Sequence, residues 1–453
     1  MKIHFCGGAQ TVTGSNYLLE TEKTKVLVDC GLFQGGANTN KLNNEDFPYK
    51  PNEIDVVFIT HAHIDHIGRL LKLVSEGFNG KIFSTLPTVD FIKIMLSDSE
   101  NIARKRGERQ FYGLNDIEKT VGLFQGIDYG KKIELDNGIS FCFRDAGHIL
   151  GSAIVEIWAE DNKIVFSGDM GNSPVPLLRE TEVIGDADYV VIESTYGDRI
   201  HETVSQRKDL LENAIEDIVS QGGTMLIPSF ALERTQEILY ELNELVENHR
   251  IPRIPIFLDS PLAIKLTEVY KRHSNYFNKE AKYLIESGDE LFNFPGLKLT
   301  QTSQESKSIN NIAPPKIIIA GSGMSTGGRI LHHEIRYLSD PNNIFLIVCY
   351  QANGTLGRKI FDGAEKVRIF NQIIPVKSRV RAIGGYSAHA DQETLYSWIS
   401  KIARHENKSG DKELKKVFVT HGEKDPADAL AQIIKDRLGV QAVVPKMGQS
   451  FVL

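Results

Sequence analysis

Short apolar runs alternate with amphipathic patterns along most of the chain. Several runs rich in β-branched residues end abruptly in polar, reactive residues, as in VVFITHAH, IVFSGDMG, YVVIESTYGD, TMLIPSF, IPIFLDSP, KIIIAGSGMS and KVFVTHGE. Residues 205–220 and 231–249 have the spacing of amphipathic helices. This alternation predicts an α/β fold, in which functional groups gather outside the carboxyl ends of the strands.

The densest polar cluster is the segment THAHIDHIG, which directly follows one of these apolar runs. His61 and His63 are two positions apart, so in an extended segment their side chains point to the same side. Asp65 and His66 follow one turn later, at the start of a predicted helix. Imidazole and carboxylate groups together suit zinc, iron or manganese. The pattern predicts a site for one or two cations, and a polar loop with hydrogen-bonded histidines is the alternative.

Other strand ends offer further ligands. His148 stands in DAGHILGS, Asp169 in FSGDMG and His421 in VTHGE, while Asp29 closes the run KVLVDCG. Each of them alone is weak support for a metal site, and Asp29 could equally be a capping residue. Their shared placement at strand ends makes them a consistent set.

Composition narrows the class of protein. The chain has 453 residues, which favours two or three domains, and its apolar runs are shorter than the roughly 18 residues that a membrane span needs. The N-terminal stretch MKIHFCGGAQ has no signal-peptide pattern, so we expect a cytoplasmic protein with no membrane partner. The four cysteines form no CxxC pair, which argues against a zinc ribbon or a redox motif. The net charge of −7 means that any nucleic-acid surface must be local.

The series HAHIDH, His148 and Asp169, preceded by Asp29, resembles the metallo-β-lactamase-fold hydrolases. The resemblance implies two divalent metal ions, with zinc as the default and manganese or iron as alternatives. It implies that one ion is bound by His61, His63 and His148, that the other is bound by Asp65, His66 and His421, and that Asp169 bridges them. It also implies that Asp29 orients the ligands through hydrogen bonds.

Three later motifs narrow the resemblance to the β-CASP subfamily, whose members are nucleases with a second domain inserted in the metallo-β-lactamase fold. IESTYGDR with Glu193, GGYSAHAD with His389 and VTHGE with His421 resemble its motifs A, B and C. The implied architecture is an αββα sandwich made of residues 1–198 and 372–453, with residues 199–371 as an inserted α/β cap domain. One departure is Glu233, where many relatives have glycine.

This resemblance implies a metal-dependent ribonuclease that hydrolyses single-stranded RNA by a two-metal mechanism. Glu193 would keep His389 charged, and His389 would act as the general acid, because histidine titrates near neutral pH. Asp65 and Asp29 complete the expected catalytic set. The polar His421 at motif C favours RNA over DNA, since this motif is typically apolar in the DNA-processing branch. Endonuclease or 5′-exonuclease cleavage stays open, as does a homodimer.

Candidate RNA contacts lie in the expected cap domain. GSGMSTGGR follows the apolar run KIIIA and precedes a predicted helix, where exposed N–H groups favour a phosphate. We expect phosphate contacts from Ser322, Gly323, Met324 and Arg329, and weaker ones from Arg234, Ser229 and Ser260. A tight glycine-rich turn is the alternative. Residues 103–112, ARKRGERQFY, combine cations and aromatics as single-stranded RNA sites do, or they form a solvated helix face.

Other functions remain as alternatives. A general metallo-hydrolase of small esters or thioesters would use the same ligands, but it would need no inserted domain. A DNA nuclease of the same subfamily is a second alternative, and a binding module that has lost its metals is a third. Every expected ligand position is filled, which disfavours the third.

Overall fold

The computed structural model describes residues 1–35, 38–107, 112–172, 174–201, 204–404 and 413–453. The chain divides into two compact units, and the first consists of two separate segments, Met1–Ile200 and His389–Leu453. The second unit is His201–Ala388. The second unit is therefore inserted in the sequence of the first.

The strands of both units follow the apolar runs of the sequence. In chain order they are β1 (Lys2–Gly7), β2 (Asn16–Glu20), β3 (Lys25–Val28), β4 (Val56–Phe58), β5 (Lys81–Ser84), β6 (Phe124–Gly126), β7 (Ile133–Glu134), β8 (Ser140–Asp145), β9 (Ala153–Ala159), β10 (Asn162–Phe166), β11 (Tyr189–Ile192), β12 (Thr224–Pro228), β13 (Ile256–Leu258), β14 (Leu297–Leu299), β15 (Lys316–Ala320), β16 (Ile344–Ile347), β17 (Lys366–Ile369), β18 (Gln372–Pro375), β19 (Arg379–Ala382), β20 (Lys416–Val419), β21 (Gln441–Val443) and β22 (Ser450–Val452).

The α-helices lie between these strands. They are α1 (Thr39–Asn44), α2 (Ile64–Ile67), α3 (Leu70–Ser75), α4 (Leu86–Arg106), α5 (Leu114–Val121), α6 (Val204–Gln221), α7 (Arg234–Glu247), α8 (Pro261–Arg272), α9 (Lys279–Glu286), α10 (Ser303–Ser308), α11 (Ile330–Tyr337), α12 (Leu356–Phe361), α13 (Gln392–Ala403) and α14 (Lys424–Leu438). Short 3₁₀ turns cover Pro51–Glu53, Ser274–Tyr276, Ile309–Asn311 and Gly384–Tyr386.

The first unit is a sandwich of two mixed sheets. One has the strand order β22-β1-β2-β3-β4-β5-β6, and the other has the order β21-β20-β11-β10-β9-β8-β7. Apolar side chains from both sheets pack into one core, with Phe5, Phe58, Phe141, Phe166 and Phe418 among its buried members. Burial of this apolar surface is the main force that holds the two sheets together.

Helices cover the outer faces of this sandwich. Leu71 and Val74 of α3 pack with Leu27 and Val57 of the first sheet. Trp398 of α13 and Leu430 of α14 pack with Val190 and Val417 of the second sheet. This arrangement confirms the expected αββα architecture.

The second unit is built on a six-stranded sheet with the order β14-β13-β15-β12-β16-β19, in which every neighbouring pair is parallel. Strands β17 and β18 form a separate antiparallel hairpin. Helices connect the parallel strands, as such connections require. The insertion is therefore an α/β domain, as expected.

The expected limits of the insertion, 199–371, stay a prediction. The second compact unit begins within a few residues of the expected start and continues to Ala388. The reason is β19, whose Arg379 and Val380 pair with Ile344 and Phe345 of β16 in the sheet of the second unit.

Two predicted helices match α6 and α7, although α7 begins later than expected because Glu233 has a non-helical φ of 67°. Along the described segments, no helix has both the length and the apolar character to cross a membrane. Of the basic run 103–112, Arg104 and Lys105 are exposed on the last turns of α4, while residues 108–111 lie outside the described residues.

Candidate metal centre and active site

The expected metal ligands come from loops of both sheets in the first unit. In chain order they are His61 and His63 after β4, Asp65 and His66 in α2, His148 between β8 and β9, Asp169 after β10, and His421 after β20. Strands β3, β4 and β5 are parallel in one sheet, and β10, β11 and β20 are parallel in the other. The carboxyl ends of these strands place the ligand loops close together.

A first ligand group consists of His61, His63, His148 and Asp169, whose ligand atoms all lie within 4.8 Å of one another. The Nδ1 of His63 is 3.1 Å from the Nε2 of His61 and 3.1 Å from the Nε2 of His148. The Oδ2 of Asp169 is 3.4 Å from the His61 Nε2 and 3.6 Å from the His148 Nε2. Tetrahedral ligands about 2.0–2.2 Å from a zinc ion are roughly 3.3–3.6 Å apart. The spacing of this group therefore suits a tetrahedral cation.

A second ligand group consists of Asp65, His66 and His421. The Oδ1 of Asp169 is 3.3 Å from the Nε2 of His66 and 3.4 Å from the Nε2 of His421. The His421 Nε2 is 4.0 Å from the Oδ2 of Asp65. Asp169 thus directs one oxygen to each group, which is the geometry of a bridging carboxylate.

Among the described residues, two buried atoms at this place have no hydrogen-bond partner, the Nε2 of His66 and the Oδ1 of Asp169. An unsatisfied polar atom in the interior costs about 1–3 kcal/mol. In the first group, one Nδ1–H of His63 cannot donate to both of its neighbouring nitrogens at once. A cation in each group would satisfy these atoms, so the residues present fit divalent metal ions.

Asp29 fixes which ring nitrogens face the centre. Its carboxylate accepts hydrogen bonds from the Thr60 N–H and hydroxyl, both at 2.8 Å, and from the Nδ1–H of His66 at 2.7 Å. Because the Thr60 hydroxyl donates to Asp29, it accepts from the Nδ1–H of His61, 3.0 Å away. The Nε2 atoms of both histidines are thereby left with lone pairs for a metal, as in other carboxylate-supported sites.

Burial and charge adjust the protonation of these groups. Burial lowers the pKa of His61 well below its usual value and lowers the pKa of His421 to about 3, so both are neutral ligands. Burial also raises the pKa of Asp65 to about 6. Burial opposes protonation of His66, but Asp169 and Asp29 raise its pKa well above the usual value. A cation bound there would replace that proton.

His389 and Glu193 form an ion pair beside the ligand groups. The His389 Nδ1 is 3.1 and 3.2 Å from the two carboxylate oxygens of Glu193 and 3.9 Å from the Oδ2 of Asp169. The N–H groups of Met170 and Thr195 donate to Glu193 at 2.6 and 3.3 Å. Burial opposes the charge on His389, but Glu193 and Asp169 outweigh it and raise the pKa of His389 to about 9.

Comparison with known proteins agrees with this arrangement. The Metallo-beta-lactamase superfamily domain matches residues 18–191, the Beta-Casp domain matches residues 235–360, and the Zn-dependent metallo-hydrolase RNA specificity domain matches residues 373–445. A ribonuclease of Thermus thermophilus is 38% identical over 453 residues, with 99% of each chain covered. The chain belongs to the β-CASP family of metallo-β-lactamase-fold hydrolases. The matched domains and the histidine and aspartate cluster together support divalent-metal binding by this chain.

Two other relatives match nearly the whole length of this chain. An RNase J-like protein of Methanocaldococcus jannaschii is 32% identical, with 98% of each chain covered. The transcription termination factor FttA of Methanosarcina mazei is 27% identical, covering 97% of this chain and 70% of that protein. A crystal structure of a protein of unknown function from Enterococcus faecalis V583 has a TM-score of 0.55 at 12% identity and covers 100% of this chain and 99% of its own, which shows the fold alone.

The side chains expected to contact phosphate in the β-CASP domain mostly have partners within the second unit. Arg329 donates to the Asp259 carboxylate at 2.7 Å and to the carbonyl oxygens of Thr300 and Gln301 at 3.0 and 2.7 Å. Arg234 is buried and paired with Glu237. These two guanidinium groups are therefore held by the fold.

The serines of this set follow β12, β13 and β15 of the β-CASP sheet. Ser229 is buried and accepts from the Thr235 hydroxyl at 3.0 Å, and Ser260 caps α8 by accepting from the Ala263 N–H at 3.3 Å. The Ser322 hydroxyl accepts from the Thr326 N–H at 2.9 Å. Within the described parts of the chain, the N–H groups of Gly323 and Met324 have no hydrogen-bond acceptor, so this turn keeps two donors for a ligand.

Two hydroxyl groups that touch the ligands were not predicted. Thr60 directly precedes His61 in the sequence, so its contact with that ligand could have been predicted. Ser15 lies 2.8 Å from the Nδ1 of His421 but 406 positions away in the chain, and no local pattern marks it. Glu233, the departure noted in the sequence, is buried and accepts from the Tyr270 hydroxyl inside the second unit.

Proposed function

We propose that this chain is a two-metal ribonuclease that hydrolyses phosphodiester bonds of single-stranded RNA in RNA processing or decay. The observation that carries the proposal is the Asp169 carboxylate, whose two oxygens face two separate ligand groups at 3.3–3.6 Å. The RNA specificity domain matched at residues 373–445 and the relative named a ribonuclease support RNA as the substrate.

In the proposed centre, one divalent cation is held by His61, His63 and His148, the other by Asp65, His66 and His421, and Asp169 lies between them. Zinc is the proposed ion because nitrogen and oxygen donors stand at tetrahedral spacing, with manganese or iron as alternatives. Bound cations would supply Lewis acidity at the phosphodiester and lower the pKa of an attacking water. Asp29 keeps His66, and through Thr60 also His61, in the ligating tautomer.

His389 is the proposed general acid. Hydrolysis of a phosphodiester leaves an alkoxide oxygen that needs a proton, and an imidazolium is a suitable donor. The Glu193 carboxylate holds the Nδ1–H of His389 and keeps the ring charged at neutral pH. The Nε2–H is then the proton assigned to the leaving oxygen.

Fewer residues are proposed to contact RNA than were expected from the sequence. The turn Ser322–Met324 stays a proposed phosphate contact because two of its N–H groups have no acceptor in the described chain. Arg329 and Arg234 are not carried into the proposal, because Asp259 and Glu237 hold them. A cytoplasmic location is also proposed, since the four cysteines form no disulfide, as is usual in a reducing compartment.

Cleavage of an end-labelled single-stranded RNA, with the equivalent DNA alongside, tests the proposal. We expect zinc- or manganese-loaded protein to cut RNA preferentially and His389→Ala and Asp65→Ala to be inactive. The matched control is His4→Ala, because His4 also pairs with a glutamate, Glu20 at 2.7 Å, but lies away from the ligands on β1. The fragment pattern distinguishes endonuclease from 5′-exonuclease cleavage, and light scattering on the same samples tests a homodimer.

Intact RNA with every metal would overturn the proposal, and small esters and thioesters would then be the substrates to test. Equal cutting of RNA and DNA would favour the DNA-nuclease alternative. Loss of activity in His4→Ala as large as in His389→Ala would show that the His389 effect is not specific to the site.

A further inference from the structure

Ser15 contacts a proposed metal ligand from a distant part of the sequence. It is fully buried in the loop between β1 and β2, and its hydroxyl oxygen is 2.8 Å from the Nδ1 of His421. The opposite ring nitrogen, Nε2, faces Asp169 and Asp65 at 3.4 and 4.0 Å. If Ser15 accepts from Nδ1–H, then Nε2 has a lone pair for a metal. If Ser15 donates instead, Nε2 carries a hydrogen and cannot be a ligand.

The direction of this hydrogen bond is set by a chain of hydroxyls that ends at a backbone carbonyl. The Thr420 hydroxyl is 3.3 Å from the carbonyl oxygen of Ile192, which can only accept. The Tyr17 hydroxyl donates to Thr420 at 3.3 Å, and its oxygen and the Ser15 hydroxyl both border Gly8. Because the single hydrogen of Tyr17 is directed to Thr420, its lone pairs are the acceptor beside the Ser15 hydrogen, and this direction leaves Ser15 to accept from His421. The chain therefore leaves the Nε2 of His421 with a lone pair.

Ser15 also holds the backbone beside a second ligand. Its N–H donates to the carbonyl oxygen of Asp65 at 2.9 Å, and its own carbonyl accepts from the Gly31 N–H at 2.9 Å. A Cβ atom on Gly31 would lie 1.6 Å from the Asp65 carbonyl oxygen, so only glycine allows this approach. Ser15 thus connects the segments that carry Asp65 and His421, both members of the second ligand group.

We propose that Ser15 is the positioning residue of the second metal position, through the tautomer of His421 and the backbone of Asp65. The first ligand group has its own support, since the Nδ1 of His61 donates to Thr60 rather than to Ser15. Loss of the Ser15 hydroxyl should therefore weaken one metal position and spare the other. This inference rests on the two-metal centre of the proposed function.

The test is a metal titration of the Ser15→Ala variant, which removes the hydroxyl and keeps the backbone contacts. Metal-free protein is titrated with Co²⁺, followed by visible absorption, and with Zn²⁺, followed by calorimetry. We expect wild type to bind two equivalents. The variant should bind one equivalent as tightly as wild type and the other about 10–100-fold more weakly, the usual cost of losing a group that supports a ligand.

Thr13→Ala is the matched control, because the Thr13 hydroxyl is in the same loop and donates to the Gln34 carbonyl at 3.3 Å. We expect it to bind both equivalents as wild type does. Tyr17→Phe should reproduce the selective weakening, since the Ser15 hydrogen is then no longer directed away from His421. If Ser15→Ala does not fold, Ser15→Cys repeats the test, because cysteine has a shape similar to that of serine but its thiol forms only weak hydrogen bonds.

The outcomes separate the two proposals. If the variants with an altered Ser15 bind both equivalents as tightly as wild type, or if both equivalents weaken alike, the inference about Ser15 is wrong. Wild type that binds a single equivalent would overturn the two-metal centre itself. Equal melting temperatures of metal-free wild type and variant would show that the selective loss of metal affinity does not come from general unfolding.

Discussion

The variant Glu193→Gln isolates the charge that acts on His389. Glutamine has nearly the shape of glutamate and can still accept from the Met170 N–H, 2.6 Å away. It removes a negative charge that lies 3.1 Å from the His389 Nδ1. Burial lowers the pKa of His389, but Glu193 is the strongest of the groups that raise it from 6.5 to about 9. A rise of this size corresponds to about 3 kcal/mol of stabilisation of the imidazolium.

The expected effect depends on pH in one direction. A general acid must carry its proton, and His389 carries it up to its raised pKa of about 9. Without the charge of Glu193, we expect the pKa of His389 to fall by about 2.5 units, the whole of its rise. At pH values above both pKa values, kcat should therefore fall by up to about 300-fold, while at pH values below both the loss should be less than about twofold.

The assay is the pH profile of kcat on saturating single-stranded RNA, from acidic to alkaline pH, for both proteins. Bound cations lower the pKa of His389 in wild type and variant alike, so the measured quantity is the displacement between the alkaline limbs of the two profiles, about 2.5 pH units. The control is Glu20→Gln, because Glu20 pairs with His4 at 2.7 Å outside the site. A loss that is equal at every pH, or limbs that coincide, would refute the reasoning.

Three other predictions concern the support of the metal ligands, the stability that metal adds, and the core. Asp29→Asn should present an amide N–H to the Nδ1 of His66 in place of a carboxylate oxygen, which disfavours the ligating tautomer. We expect metal affinity to fall about 10–100-fold, measured as the metal retained after dialysis, and full retention would contradict this expectation. Metal at about 100 Kd should add roughly 2.7 kcal/mol to the free energy of unfolding for each ion bound, and a melting temperature that does not fall when a chelator is added would contradict this. Phe166→Ala, between the two sheets, should cost about 3–5 kcal/mol in urea unfolding, and a cost below about 1 kcal/mol would show that Phe166 is not packed as described.

The strands that carry the site were predictable because each is a short apolar run that ends in polar residues. In VVFITHAH and KVFVTHGE the apolar run ends within one residue of the ends of β4 and β20, so the ligands could be assigned to the carboxyl ends of strands. The end of the second compact unit at Ala388 has no comparable local signal. The sequence RVRA of β19 alternates in polarity, as an edge strand does, and nothing local indicates that it pairs with β16.

In the candidate site, too, some residues could be recognised from the sequence and others only from the folded structure. A metal ligand is recognisable from the sequence because three imidazoles and a carboxylate within six positions, His61 to His66, supply the nitrogen and oxygen donors of a metal site. A hydrogen-bond partner is defined only by distance in the folded chain, as for Ser15 and His421, or Arg329 and Asp259. For Arg329 the sequence shows the glycine neighbours that favour a phosphate contact, whereas its carboxylate acceptor lies 70 positions away, after β13. A charged residue beside a glycine-rich turn is therefore a candidate from the sequence, and its partners within the domain, here the buried Asp259, become known only from the structure.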